Sequence, residues 1–367
     1  MTDYGNIDVE EFFTGDPVED WLDLKRREEI APGTIKGLEQ RLWWNADGTA
    51  LQQFLAKRDV DVLDATVNDL FDYRDHIREV NKDREVKNKL SEISTFYQEM
   101  RGFKQTDSNP AAFVLSRTKI SAESPDREHH TVEEIGNYLA AIPHPQMQTM
   151  GLTYLKYGLR RGAVVNIDLC CVNIDDPRFK TYLAEHDVVM HEKVQRSPDS
   201  IYVYGNFSKN DVIAGEKRRA GNKRENEAVL PIDDELKYSL LQFLTVRPHT
   251  ESPHPLFPQL SPVGGHYERI PPSTVYSYLI DNIAIEYGIT ERSNSRSDVD
   301  IHYFRHFFRT QMKLHYGDHD GHLHDELIKY IRGDKMADKI LEIYTHDWDV
   351  NVRETYLDNI YKFGLFD

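Results

Sequence analysis

Cysteine is almost missing from this 367-residue chain. Its two copies, Cys170 and Cys171, are adjacent and sit in an apolar run, so the sequence offers neither a disulfide framework nor the spaced thiols of a zinc site. Both read as core residues. No apolar run approaches twenty residues, which argues against a membrane-spanning helix or a secretory leader and predicts a soluble, cytoplasmic protein with no membrane partner. Internal repeats and low-complexity tracts are absent as well. Positive charge is scarce too: 45 Lys and Arg stand against 62 Asp and Glu, a net charge of −17. Affinity for nucleic acid comes largely from lysines and arginines that displace counterions, so this balance speaks against a polyanion spread over the whole surface. The scarcity is uneven, however. Basic residues gather at Lys25 to Arg27, Lys82 to Lys89 and Lys217 to Arg224, which suits a basic groove on an acidic body. The acidic surplus also suits a cytosol of very high salt, so a haloarchaeal host is the expectation.

What is present is enough apolar residue for two cores, 39% of a chain too long for one ordinary domain. Apolar residues recur at helical spacing in Val18, Trp21, Leu22, then Ile35, Leu38, Leu42, then Leu51, Phe54, Leu55. Thr66 is placed to cap a helix carrying Val67, Leu70 and Phe71, and Leu90, Ile93, Phe96, Tyr97 and Met100 form a further stripe. The spacing predicts four or five helices in a small domain over residues 10–115. Residues 116–130 mix charge, Ser and Pro without apolar period and read as a linker. Thr131-Val132-Glu133-Glu134-Ile135 has the form of a capping box and opens a second domain over residues 131–367. Within it, Ser200 to Phe207 and Glu227 to Ile232 read as strands around a Gly- and Lys-rich turn, and Asp233 caps another helix. Residues 255–272 form a turn-rich loop, after which helices return.

The residues able to handle phosphate lie in this second domain. His302-Tyr303-Phe304-Arg305-His306 sets a histidine and an arginine three apart, on one side of a helix, and Tyr344-Thr345-His346 follows downstream. Upstream, Gly158-Leu159-Arg160-Arg161 supplies a second guanidinium and the Lys217 to Lys223 region an amine. In the order Arg, Lys, His-x-x-Arg, Tyr, the set resembles the tyrosine recombinase (phage integrase) family over most of the chain. An archaeal, Xer-like site-specific recombinase is the expectation within it. The resemblance implies a mainly α fold with a small β-sheet (α+β): a helical, SAM-like core-binding domain followed by a catalytic domain, together a clamp on double-stranded DNA. It also implies a tetramer on two DNA sites, a 3′-phosphotyrosyl intermediate and no cofactor or metal.

Residue by residue, the resemblance implies Arg160 and Arg305 as the paired guanidiniums that bind the nonbridging oxygens. Tyr157-Gly158-Leu159-Arg160 with Val164, Val165 and Ile167 matches the family pattern, although Ala163 stands where an acidic residue is usual, which leaves Arg161 open. Gly221-Asn222-Lys223-Arg224 before Ala228-Val229-Leu230-Pro231-Ile232 favours Lys223 as the general acid, with Lys217 and, more remotely, Lys209 as alternatives. His302 positions or deprotonates the nucleophile. Tyr344 is the favoured nucleophile; Tyr356 is the alternative, in which case His346 joins the site. Arg332-Gly333-Asp334-Lys335 falls where the family has Leu-Gly-His, so Asp334, Lys335 or no residue fills the sixth position. Lys36, Arg41, Lys87, Lys89 and Arg224 are candidate DNA contacts, and residues 352–367 a candidate segment for docking on a neighbouring protomer. His315, His319, His322 and His324 among acidic residues read as a solvated insertion rather than a metal site. Two rival functions share these residues: a topoisomerase-like nicking-closing enzyme, and a non-catalytic DNA clamp or regulator.

Overall fold

A computed structural model describes residues 13, 15–28, 30, 32–119, 129–290, 299–315, 322–336 and 349–366. The chain forms two compact units, Met1–Asp126 and Arg127–Asp367. It is mainly α-helical with a small β-sheet. Among the described residues, no helix is long and apolar enough to cross a membrane.

The first unit is helical: α1 (Pro17–Arg27), α2 (Pro32–Leu42), α3 (Leu51–Ala56), α4 (Val67–Arg78), α5 (Asp83–Gly102) and α6 (Pro110–Arg117). Each apolar stripe named above turns inward, so that Trp21, Leu42, Leu55, Leu70, Leu90, Phe96 and Tyr97 share one core. Burying such side chains stabilises a fold by roughly 1.5–3 kcal/mol apiece. Starts are set by short polar residues: the Asp16 carboxylate accepts from the N–H groups of Val18 and Glu19, and Thr66 with Asp69 closes a reciprocal capping box. Among the described residues the helices of this unit number six rather than four or five. Asn109 caps α6, whose Ala111 and Val114 are buried, and this helix runs two residues past the expected domain boundary. The linker expectation falls mainly on residues 120–128, outside the described residues.

The second unit begins with α7 (Val132–Ala140), opened by the capping box of Thr131 and Glu134. Next comes α8 (Pro145–Tyr157), which is buried on nearly every side and serves as the central post. Short elements follow: α9 (Arg161–Val165), β1 (Val172–Asn173), α10 (Pro177–Glu185), α11 (Glu192–Gln195), β2 (Ser200–Val203), β3 (Val212–Ile213), β4 (Glu216–Lys217) and β5 (Ala228–Pro231). β2 pairs antiparallel with β1 and with β5, with Ile201 opposite both Val172 and Leu230. β3 and β4 form a separate hairpin inside the expected Gly- and Lys-rich turn. The two expected strands are therefore present, shortened; β1, at two residues, is too brief to show alternation.

Then come α12 (Asp234–Leu244), capped by Asp233, and α13 (Pro272–Tyr276), which runs on into a π-helical stretch Ser277–Ala284. α14 (Ile301–His315) packs against α8, and α15 (His322–Arg332) against α14. A π-helical stretch Asp349–Glu354 leads to α16 (Thr355–Asn359). The tail beyond it folds back onto its own unit. Buried Lys156 donates to the Tyr361 carbonyl at 2.6 Å, and the Glu235 carboxylate accepts from the N–H groups of Phe363 and Leu365 at 3.1 Å.

Candidate active site: three arginines on one carboxylate

Two helix ends and one helix face build the site. α8 stops at Gly158, which adopts φ +58°, a left-handed conformation that other residues reach only with strain. A Cβ there would lie 2.7 Å from the Phe308 ring of α14, so glycine lets the end of α8 sit directly on that helix. The Gly158 carbonyl then accepts from Arg305 Nη1 at 2.6 Å. α15 ends the same way at Gly333 (φ +70°), where a Cβ would meet the stem of Arg224 at 2.3 Å. The N–H of Gly333 donates to the Tyr330 carbonyl and that of Asp334 to the Lys329 carbonyl, the paired bonds of a Schellman cap. That cap delivers Asp334 to the arginines.

Arg305 Nη2 donates to Asp334 Oδ1, Arg332 Nη1 lies 3.1 Å from Asp334 Oδ2, and Arg160 Nη2 lies 3.5 Å from Oδ1. Backbone carbonyls complete the frame: Arg305 Nη1 also donates to the Arg332 carbonyl at 2.8 Å, and Arg160 Nη1 to those of Lys223 at 2.8 Å and Gly333 at 3.2 Å. Three guanidiniums thus face one carboxylate, leaving two positive charges in excess. The Arg305 side chain is 2% exposed, Asp334 26% and Arg160 38%, so the cluster is rooted in the core and open on one side. Burial, with the neighbouring Arg332 charge, pulls the Arg305 pKa down to about 9 against the opposing pull of Asp334. It stays charged at neutral pH. A pocket of fixed N–H donors with surplus positive charge suits a phosphate or another small oxyanion.

The other candidates fall around or away from this cluster. His302 is exposed one turn before Arg305 on α14, edge-on to His306 with ring centroids 4.7 Å apart. Lys223 is exposed at the rim, its carbonyl held by Arg160, whereas Lys217 is exposed on β4 and Lys209 in the loop before β3. Arg161 is exposed at the start of α9 with its guanidinium over the Tyr276 ring, outside the cluster that Arg160 enters. Tyr344 and His346 lie outside the described residues, as does His319 of the histidine-rich insertion, while His315 ends α14 and His322 and His324 belong to the first turn of α15.

Three expectations are corrected. Tyr356 is fully buried, its ring stacked on Tyr157 and its hydroxyl donating to the Lys156 carbonyl at 3.0 Å, so it faces the core and not the cluster. Arg224 is buried as well. Its guanidinium donates to the carbonyls of Asn226, Ile331 and Tyr330, pinning the strand entry to the end of α15 instead of meeting DNA. Lys89 is buried with its amine on Thr49 Oγ1 at 3.2 Å, and burial lowers its pKa. Lys36 and Lys87 are exposed, while Arg41 is paired with Glu92. The residue that sequence reasoning missed is Arg332. Its signal was its place directly before Gly333 and Asp334, where the family's leucine was expected.

A second charged network lies behind the β3–β4 hairpin. Asp168 accepts from Arg218 at 2.6 Å, from Arg269 and from the Tyr204 hydroxyl at 2.8 Å, while Glu216 accepts from Arg269 at 2.6 Å and pairs with Arg218 at 3.0 Å. Asp168, Cys170 and Cys171 come close enough to share a cation, but two guanidiniums already hold the carboxylate, so the donor set does not suit a metal.

No family model matches the sequence, and no curated protein does. Solved structures do match. The Tn1549 transposon integrase in complex with transposon right-end DNA superposes with a TM-score of 0.58 at 13% identity, over 90% of this chain and 94% of that one. Its fold is that of an integrase. Lambda integrase, as a tetramer bound to a Holliday junction, gives a TM-score of 0.53 at 13% identity, over 89% of this chain and 75% of that one. A lambda integrase dimer on a core site gives 0.51 at 12% identity, over 87% and 94%. The integrase fold covers both units of the chain.

Proposed function

We propose that this chain is a site-specific DNA recombinase of the tyrosine recombinase family, cutting and rejoining duplex DNA through a 3′-phosphotyrosyl link. The observation that carries the reading is the convergence of Arg160, Arg305 and Arg332 on one point of an integrase fold. In the transition state, extra negative charge develops on the nonbridging oxygens of the phosphodiester. Guanidiniums already fixed toward one spot stabilise that charge without rearranging. Tyr344 is the proposed nucleophile: its phenolic oxygen bonds to phosphorus, the bond from phosphorus to the 5′ oxygen breaks, and the energy stays in the covalent link. His302 takes the phenolic proton and Lys223 protonates the departing oxygen. Attack by a 5′ hydroxyl from a partner strand reverses the step, with the proton transfers also reversed. Exchange between two duplexes needs four such sites, and the lambda neighbour is a tetramer on a junction, which supports a tetramer on DNA. The setting proposed is the cytoplasm of a haloarchaeon.

The test is to incubate the protein, at several salt concentrations, with a plasmid carrying the DNA that flanks its own gene. After detergent denaturation, any DNA-linked peptide is mapped by mass spectrometry. A nucleotide on Tyr344 is the expected result. Intact DNA binding with no adduct at any salt would leave a non-catalytic clamp, and relaxed plasmid without joined molecules would leave a nicking-closing enzyme.

A further inference from the structure

We propose that Asp334 is an internal stand-in for the phosphodiester, a latch whose carboxylate occupies the anion seat in the DNA-free chain and swings out when a phosphate enters. The inference rests on the reading of the arginine cluster as the phosphate seat. The geometry behind it is specific. Nη2 of Arg160 and Nη2 of Arg305 aim at the same oxygen, Asp334 Oδ1, while the Nη1 groups of both are occupied by backbone carbonyls. The donors left for a ligand therefore converge where the carboxylate now sits. An anion seated at that shared point takes the place of this oxygen.

The latch moves by side-chain rotation alone. The Schellman bonds at Gly333 and Asp334 fix the backbone of Asp334 beside the seat, and Gly333 is itself held by its contact with the buried stem of Arg224. Asp334 is the most exposed end of its pairs with Arg305 and Arg332, so its carboxylate has open space to turn into. Until it does, it offsets part of the repulsion among three guanidiniums and keeps them aimed. The same contact makes the empty site less attractive to free anions than three bare arginines would be, so that entry demands a phosphate delivered with many other DNA contacts. Asp334 is on this view a positioning residue and a gate rather than a catalytic acid or base.

The experiment is calorimetric titration of the full chain with inorganic phosphate at fixed high salt, comparing wild type with Asp334→Asn. The amide keeps the shape and removes the charge that competes with phosphate. Asn at this position is expected to tighten phosphate binding by roughly tenfold or more, because a like charge beside the ligand is gone. That gain should vanish when Arg305→Lys is added. Phosphate binding that is unchanged or weaker in Asp334→Asn overturns the latch. Should that variant fail to fold, Asp334→Ser poses the same question with a shorter neutral side chain and the same two outcomes. The readout is independent of the covalent chemistry. Tighter phosphate binding in a protein that never forms a tyrosyl adduct keeps the latch and loses the recombinase, and unchanged binding in a protein that does form it loses only the latch.

Discussion

The second unit contains two arginine–carboxylate networks built from the same side chains to opposite ends. Around Asp168 and Glu216, two arginines meet two carboxylates, the charge closes to zero, and Arg218 and Asp168 are 0% exposed. Around Asp334, three arginines meet one carboxylate, the charge does not close, and Arg160 is 38% exposed. In the first network the terminal nitrogens of both guanidiniums are engaged, and the one unpartnered donor, Arg218 Nε, is buried out of a ligand's reach. Its buried charges hold Glu216 and Arg218 of the hairpin to Arg269 and Asp168, and their worth lies in position more than in net stability. The second keeps surplus charge at an open face, which is what a site for an anion requires. Charge balance and access, rather than residue type, separate the scaffold from the site.

Breaking the closed network should have the largest effect. Asp168→Ala leaves the buried Arg218 and Arg269 to share the single Glu216 carboxylate, a loss of roughly 3–5 kcal/mol, visible as a lowered midpoint in equilibrium urea unfolding. Asp334→Ala should cost clearly less, since Arg160 is open to water and Arg305 keeps the carbonyls of Gly158 and Arg332. Equal losses from the two would erase the distinction. In the open network the damage should appear in chemistry instead. Arg305→Lys keeps a charge but loses the planar fork, and removing one such donor typically slows a reaction by about 10²–10³. The measurement is the rate of tyrosyl–DNA adduct formation beside the thermal midpoint; a large drop in midpoint with normal adduct kinetics would count against the assignment. Gly333→Ala is smaller, at about 1–3 kcal/mol for the forbidden φ. It should also weaken phosphate binding, because the Cβ pushes against Arg224 and shifts the Gly333 carbonyl that holds Arg160 Nη1.

The comparison also explains how much could be read in advance. Apolar periodicity gave α1 to α5 and the capped starts at Thr66, Thr131 and Asp233, because each rests on residues within one or two turns. Arg160, Arg305 and His302 were visible because they sit in short motifs. The closed network was not, since Arg269 lies 101 residues from Asp168 and an isolated arginine in a turn-rich loop looks like surface. The same bias promoted Arg224 and Lys89 to DNA contacts when both are buried. Arg26 in the first basic run is likewise paired, with Asp23 and Glu39. Local basic runs report charge along the chain; only packing decides which of those charges already have partners.

A third network of opposite excess sharpens the rule and has the smallest expected effect. Here Lys156 meets two carboxylates, Asp233 at 2.6 Å and Glu235 at 2.8 Å, and the missing positive character comes from the N–H groups of Phe363 and Leu365 in the tail. Burial works to raise the Glu235 pKa, but the Lys156 charge and these hydrogen bonds outweigh it, and the net shift is downward from 4.5. Its folded value lies below its unfolded one, so its contribution is full above about pH 4.5 and fades as pH falls through the folded value. Hydrogen exchange at Phe363 and Leu365, corrected for intrinsic pH dependence, should therefore lose protection on acidification before the core amides of α8 do. Glu235→Gln should show the same loss at neutral pH, with Tyr361 and Phe363 still anchored by their ring contacts with Phe307. Simultaneous loss in the tail and α8 would mean that the tail is part of the core rather than a segment held by an unbalanced charge.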